Sequence, residues 1–259
     1  MYLLNFFADA DADVIGCIRC RTSAPFDMDL KMAFQPIVDL NSGTVFSYEA
    51  LVRGANGASA GEVLAAVNPE SMYTFDQTCR VLAIDTAARL GMRENLSINF
   101  LPNAVVEPAS CIRLTLAAAL KVGIPAERII LEMSEAEKIR NPSHALHILQ
   151  DYRKRGFMMA IDDFGSGYSG LNVLADFKPQ LVKLDQALIR DIHADDARRA
   201  IVSGVINTCR ALGCNVIAEG VEQPEELDVL RDLGIHLFQG YLFARPALEA
   251  LPEPDIRYM

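Results

Sequence analysis

At 259 residues the chain is long enough for one large α/β barrel or two small domains. Its 51% apolar and 22% charged residues exclude a disordered or fibrous chain. A net charge of −10, from 34 acidic against 24 basic residues, argues against a nucleic-acid polymer as partner, because such surfaces carry a basic excess or stripe.

Residues 1–28 read as a short N-terminal lead without sustained periodicity. Its opening MYLLNFF lacks a basic flank and runs directly into DADAD, so it is a poor signal peptide. No run approaches the roughly 18 apolar residues of a membrane helix; a cytoplasmic location without membrane insertion is expected. Cys17 and Cys20 form a lone CxxC with no second pair and no nearby histidine. A redox or zinc role for it is set against the plainer reading of an adventitious lead.

From Lys31 the pattern becomes regular. KMAFQPIVDL reads as a strand, Asn41-Ser42-Gly43 as a tight turn and TVFSYEALVR as a second strand. So short a link predicts antiparallel neighbours, since a parallel crossover needs a dozen or more residues. A glycine- and alanine-rich loop, GANGASAG, and a long helix ending at Gly91 follow. Strand and helix then alternate: NLSINF with a helix over 111–121, and RIILEM with one over 142–155. FMMAID runs into a glycine-rich loop, LVKLD precedes a helix over 195–212, NVIAE one over 224–233, and HLFQ closes the series. Eight strands alternating with helices predict an α/β barrel over residues 29–250, with a tail over 251–259.

Seven of these apolar runs end on a polar residue: Glu49, Asn99, Glu132, Asp162, Lys183, Glu219 and Gln239. In a barrel, the C-terminal ends of the strands converge on one mouth. Glu49, Glu132, Asp162, Asp163 and Glu219, with the amide of Asn99, would then form one oxygen-rich set. Several ionised carboxylates in one place must take up protons or bind cations, and oxygen-only ligands suit Mg²⁺ or Mn²⁺ better than zinc. Two cations ~3.5–4 Å apart clamp the attacking and leaving oxygens of a phosphodiester displacement.

Any one of these acids alone reads as a cap or a solvated charge, and Asp163 before Phe-Gly-Ser-Gly fits turn chemistry. Repetition along the chain is what favours a site. Lys183, costly to bury unpaired, either pairs with Asp185 or sits beside the reacting water or phosphate. Arg53 has the fork geometry for phosphate or is a rim arginine. Gly165 and Gly167 would let their loop move or approach a ligand closely. The four histidines form no metal cluster, and GxxxxGK[ST] does not occur.

FQPIVDL at 34–40, YEALVR at 48–53, LSIN at 96–99 and LEMSE at 131–135 resemble, in order, the EAL-domain cyclic di-GMP phosphodiesterases. The resemblance continues through AIDDFGSGYSGL at 160–171, VKLDQALI at 182–189, VIAEGVEQ at 216–223 and QGYLFARP at 239–246. It implies a modified TIM (β/α)₈ barrel with an antiparallel early strand, and hydrolysis of cyclic di-GMP to linear pGpG with two Mg²⁺ or Mn²⁺ ions per active site. Carried over by motif, Glu49, Asn99, Glu132 and Asp162 hold one metal. Asp162 bridges to the second, with Asp163 and Glu219 on that side.

By the same resemblance Lys183 orients or helps deprotonate the nucleophilic water. Glu135 braces loop 164–170, Glu222 and Asp185 support the site, and Gln35, Arg53 and Gln239 meet the substrate or its water shell. A homodimer is implied, its subunit contact linked to the loop after the twin aspartates. Departures are few: Gly54 replaces a frequent tryptophan, and Ser169-Gly170 a common Ser-Ser; none removes a metal ligand. The alternatives are a catalytically silent EAL domain acting as a cyclic di-GMP receptor or protein-interaction module, and a barrel acting on another phosphodiester.

Overall fold

The computed structural model describes Leu3 and residues 22–135, 139–167 and 170–258; Cys17 and Cys20 fall outside the described residues. Strand β1 (Leu30–Asp39) turns into β2 (Thr44–Gly54). At the turn the Asp39 carboxylate accepts the Asn41 amide at 2.9 Å, and Gly43 takes φ 65, a conformation that costs glycine nothing. The two strands are antiparallel, with Gln35 opposite Glu49.

From β2 onward the neighbours are parallel: β3 (Asn95–Asn99), β4 (Ile129–Ser134), β5 (Met158–Phe164), β6 (Leu181–Leu184), β7 (Asn215–Ala218) and β8 (Leu237–Phe238). Strand β8 returns to β1, pairing Phe238 with Val38 in antiparallel fashion, which closes an eight-stranded barrel of modified TIM type. A two-residue β9 (Ala247–Leu248), absent from the sequence reading, pairs with β1 at Ala33 and Phe34.

Around the barrel lie α1 (Ala60–Ala65), α2 (Met72–Arg89), α3 (Pro108–Cys111), α4 (Arg113–Val122), α5 (Pro142–Lys154), α6 (Gly170–Phe177), α7 (Gln186–Ile189), α8 (Asp196–Leu212) and α9 (Pro224–Asp232). Their boundaries follow capping chemistry. Asp195 accepts the Ala197 and Arg198 amides at the start of α8, and Gly213 ends it in the left-handed region. Helix α1 emerges from the glycine-rich stretch read as loop, nucleated by a Ser59–Glu62 capping box. The helix expected over 111–121 is instead two pieces that meet at Ile112.

Alternation along the strands creates two layers inside the barrel. Ile37, Ile130, Ala160, Leu181, Ile217 and Leu237 pack together as an interior apolar cluster. Two residues away stand Gln35, Glu132, Asp162 and Lys183 on the same strands, and Glu219 and Gln239 just beyond β7 and β8. Larger apolar clusters fill the space between the strands and the outer helices. The polar layer therefore rests on an apolar plug, and that geometry makes the site.

The helix layer holds a buried ion pair of its own. Arg80 donates to Asp76 at 2.6 Å and to Thr115 at 3.1 Å, and both charged side chains are no more than 1% exposed. Arg80→Met leaves the Asp76 carboxylate buried without its partner, and a loss of about 3–5 kcal/mol is expected. Urea denaturation of the two proteins measures it; a change near zero would show that Asp76 is neutralised another way.

Candidate active site

Lys183 is the hub of the polar layer. Its Nζ lies 2.7 Å from Glu132, 2.8 Å from Glu219, 2.9 Å from Asp162 and 3.4 Å from Glu49. Pairing with Asp185, one of the two sequence expectations, does not occur: Asp185 caps α7, accepting the Ala187 amide at 2.8 Å. Adjacent inward positions on a strand lie two residues apart, so Asp185 begins the loop above the barrel. The lysine meets carboxylates from β2, β4 and β5 and from just beyond β7 instead.

Four carboxylates against one ammonium leave a surplus of three negative charges if all are ionised. The titration directions reflect this. Burial pushes Glu132 up to about 8, opposed by Lys183 and reinforced by Glu49 and Asp162. Burial raises Glu219 well above the ordinary carboxylate range too, against Lys183 and with Asp162 and Glu49. Burial also raises Asp163, aided by Asp162. For Lys183 burial acts downward, but Asp162, Glu132, Glu219 and Glu49 together hold it well above its usual value.

These shifts have a sign for stability. An unfolded glutamate titrates near 4.3, so the fold favours protonated Glu132. That contribution is complete below the unfolded value and is lost as pH rises through about 8. In chelator, the melting temperature is expected to fall between pH 6 and pH 9. Glu132→Gln should reduce the slope without abolishing it, because Glu219 shifts the same way; equal slopes would exclude Glu132 as a source.

Oxygen atoms of Glu49, Glu132 and Asp162 lie within 4.8 Å of one another, and so do those of Asp162, Asp163 and Glu219. Asp162 belongs to both groups. Glu132 Oε1 is buried with no hydrogen-bond partner, a costly arrangement that a hard cation would relieve. The donor set, all oxygen and in anionic excess, fits divalent cations of the Mg²⁺ and Mn²⁺ class. Asn99 donates to Glu49 Oε1 at 3.0 Å, and Gln239 donates to Glu49 Oε2 at 2.8 Å and to Gln35 at 3.2 Å. Gln35 in turn donates to the Ala244 carbonyl at 3.1 Å. A chain of amides thus orients Glu49. Above it opens a cavity of about 720 Å³, walled in part by Gln35, Glu49, Asn99, Asp162, Asp163, Asp185, Glu219, Glu222 and Gln239.

The sequence model of the EAL domain matches residues 24–246. This chain belongs to the EAL domain family. The EAL domain is similar to a standalone versatile EAL protein from Vibrio cholerae O395 solved in a c-di-GMP-bound form. Identity is 49% and TM-score 0.87, over 90% of this chain and 98% of that one. It also matches Klebsiella pneumoniae BlrP1 in a manganese/cyclic di-GMP complex at pH 6, with 37% identity and TM-score 0.82, over 90% of this chain and 60% of that one. Among curated proteins it is 33% identical over 249 residues to the blue light- and temperature-regulated antirepressor BluF of Escherichia coli K12, covering 95% of this chain and 60% of BluF. It is 30% identical over 236 residues to the cyclic di-GMP phosphodiesterase PA2567 of Pseudomonas aeruginosa, covering 87% of this chain and 40% of that protein. The chain thus spans 60% and 40% of the length of these two curated relatives. Among the described residues, no helix is long and apolar enough to cross a membrane.

Within the EAL domain, several site residues stand elsewhere than at strand ends. Strand β2 continues past Glu49 to Gly54, and Glu132 and Lys183 lie inside β4 and β6; facing inward, rather than ending a strand, unites them. Arg53 is not part of the cavity wall, and its guanidinium donates to the Val52 carbonyl at 2.7 Å. Glu222 accepts from Gln186 at 3.4 Å. Glu135 accepts the Gly165 amide at 2.7 Å and donates its own amide to the Asp162 carbonyl at 2.9 Å. Gly167 lacks a Cβ for a local reason: one there would sit 2.6 Å from the Glu135 carbonyl oxygen.

Two participants were missed in the sequence. Ser134 donates to Asp163 at 2.7 Å. The buried Glu226 collects the amides of Asp191, Glu222 and Gln223. A serine beside Glu135 and a glutamate three residues after Gln223 were the available signals, the second being capping-box spacing.

Proposed function

We propose that this EAL domain is a metal-dependent phosphodiesterase that hydrolyses cyclic di-GMP to linear pGpG. The observation that carries the reading is the complete oxygen set around Lys183, with a buried Glu132 oxygen left without a partner. Glu49, Asn99, Glu132 and Asp162 would hold one Mg²⁺ or Mn²⁺ ion, and Asp162, Asp163 and Glu219 a second. When bound, the ions offset the phosphate charge and acidify the attacking water.

The chain's own groups do the rest. Lys183, held as an ammonium by its carboxylates, acts as a fixed cation facing the developing negative charge and as an orienting donor, rather than as a base. Glu219 lines the cavity 2.8 Å from Lys183, where its carboxylate can accept a proton from the attacking water. Glu49, gripped at both oxygens by amides, supplies a ligand that need not reorganise. Asp185, Gln35 and Gln239 lie where a substrate in the cavity would meet them. Glu135 and Glu222 support the loops beside it.

The c-di-GMP-bound Vibrio protein and the name of PA2567 support this substrate. A second reading, a receptor or interaction module, is favoured by one relative, BluF, whose name is that of an antirepressor. Incubation of cyclic di-GMP with Mg²⁺ or Mn²⁺ tests both, with pGpG followed chromatographically, Glu49→Ala as control and binding measured in Ca²⁺. Turnover lost in the variant is the expected outcome. Tight binding without turnover would move the chain to the receptor class, and neither would overturn both readings. The homodimer belongs to the same proposal; sedimentation at micromolar concentration shows a dimer or refutes it.

A further inference from the structure

We propose that Ser134 is a positioning residue that sets the affinity of the Asp162–Asp163–Glu219 side of the site for its divalent cation. This inference rests on the metal-dependent reading above. Asp163 is one of four non-glycine residues at positive φ among the described residues, 55°, a conformation unfavourable to most side chains that persists where neighbours enforce it. The register between β5 and β6 is irregular between Ile161 and Phe164. That local break re-aims a side chain, as bulges beside active sites do.

Three hydrogen bonds pin the result. The Asp163 carbonyl accepts from the Ser166 amide at 3.0 Å and from the Ser166 hydroxyl at 2.7 Å. The Asp163 carboxylate accepts from the Ser134 hydroxyl at 2.7 Å through Oδ2. The two bonds to Ser166 hold the backbone; among the described residues, the bond to Ser134 is the one that fixes rotation of the carboxylate. With Oδ2 engaged, the carboxylate is held in one orientation toward Asp162 and Glu219. Ser134 is placed for this by the β4–β5 ladder, where it pairs with Asp162. A hydroxyl is the needed chemistry, since it donates to a carboxylate without adding charge to a crowded anionic site.

Mn²⁺ titration followed by electron paramagnetic resonance of the free ion tests this without reference to turnover. The native protein is expected to bind two ions. Ser134→Ala should weaken one of them by about 10–100-fold, the usual effect of losing a hydrogen bond to a ligand, and leave the other unchanged. Ser134→Thr, which keeps the hydroxyl, should bind like the native protein, while the equally shaped Ser134→Val should bind like Ser134→Ala. That pair decides the matter should alanine prevent folding. Combined with Asp163→Asn, Ser134→Ala should cause no further loss of cation affinity, because the role inferred for the hydroxyl runs through Asp163. Native affinities in Ser134→Ala and Ser134→Val, or additive losses in the double variant, would overturn the role of Ser134 alone. A native protein that binds fewer than two Mn²⁺ ions would overturn this inference, and one that binds none would remove the metal reading beneath it.

Discussion

Lys183→Met is expected to reduce hydrolysis of cyclic di-GMP by roughly 10²–10³-fold or more, the range seen when one preorganised charge-stabilising donor is removed. The expectation follows from its contacts. No other cation lies within salt-bridge distance of Glu49, Glu132, Asp162 and Glu219 among the described residues, so its loss leaves four facing carboxylates to separate or take up protons. Stability in chelator should fall most at high pH, where proton uptake by Glu132 and Glu219 no longer compensates. Added Mg²⁺ should restore much of the melting temperature without restoring turnover. Lys183→Arg should not rescue activity, because a planar guanidinium does not fit a side-chain site that is 1% exposed. Turnover within a few-fold of native in Lys183→Met would exclude the lysine from the reaction.

The second large effect concerns Asp162. It is the residue common to both oxygen groups, so Asp162→Asn should weaken both cation sites together and leave hydrolysis below detection at any metal concentration. Removing the metals from native protein with EDTA and extensive dialysis should have the same effect, reversed by Mg²⁺ or Mn²⁺. Asp163→Asn, which touches only one group, should recover part of its activity as the metal concentration rises. The comparison separates a shared ligand from a one-sided one. Hydrolysis that survives exhaustive chelation would refute the metal role altogether.

Much of this was legible from the chain alone because it depends on local rules. Each strand is a short apolar run closed by a polar residue, so Ile130-Leu131-Glu132 and Leu181-Val182-Lys183 already offer an acid and a lysine to the barrel mouth. The short turn at Asn41–Gly43 could only make β1 and β2 antiparallel neighbours. The helix read over 195–212 is α8, which Asp195 caps and Gly213 ends. Short elements were less legible: α1 and α6 span 6 and 8 residues, too few turns for a helical period to stand out from a glycine-rich background. The two-residue β9 has no pattern of its own; its partners on β1 define it.

What the sequence by itself determined is therefore the supply of groups: acids, amides and one lysine, each at a fixed step above an apolar residue on its strand. Which of them touch was decided only by barrel closure. Glu49 and Lys183 belong to distant parts of the chain, yet lie 3.4 Å apart. Lys183 passes over Asp185, two residues away, because the strand ends at Leu184 and Asp185 lies beyond it, capping the next helix. The same closure buries Glu132 and Glu219 beside other acids and raises their pKa values. Periodicity and capping are properties of neighbours along the chain. Burial and charge crowding are properties of neighbours in space, and they exist only once the eight strands have met.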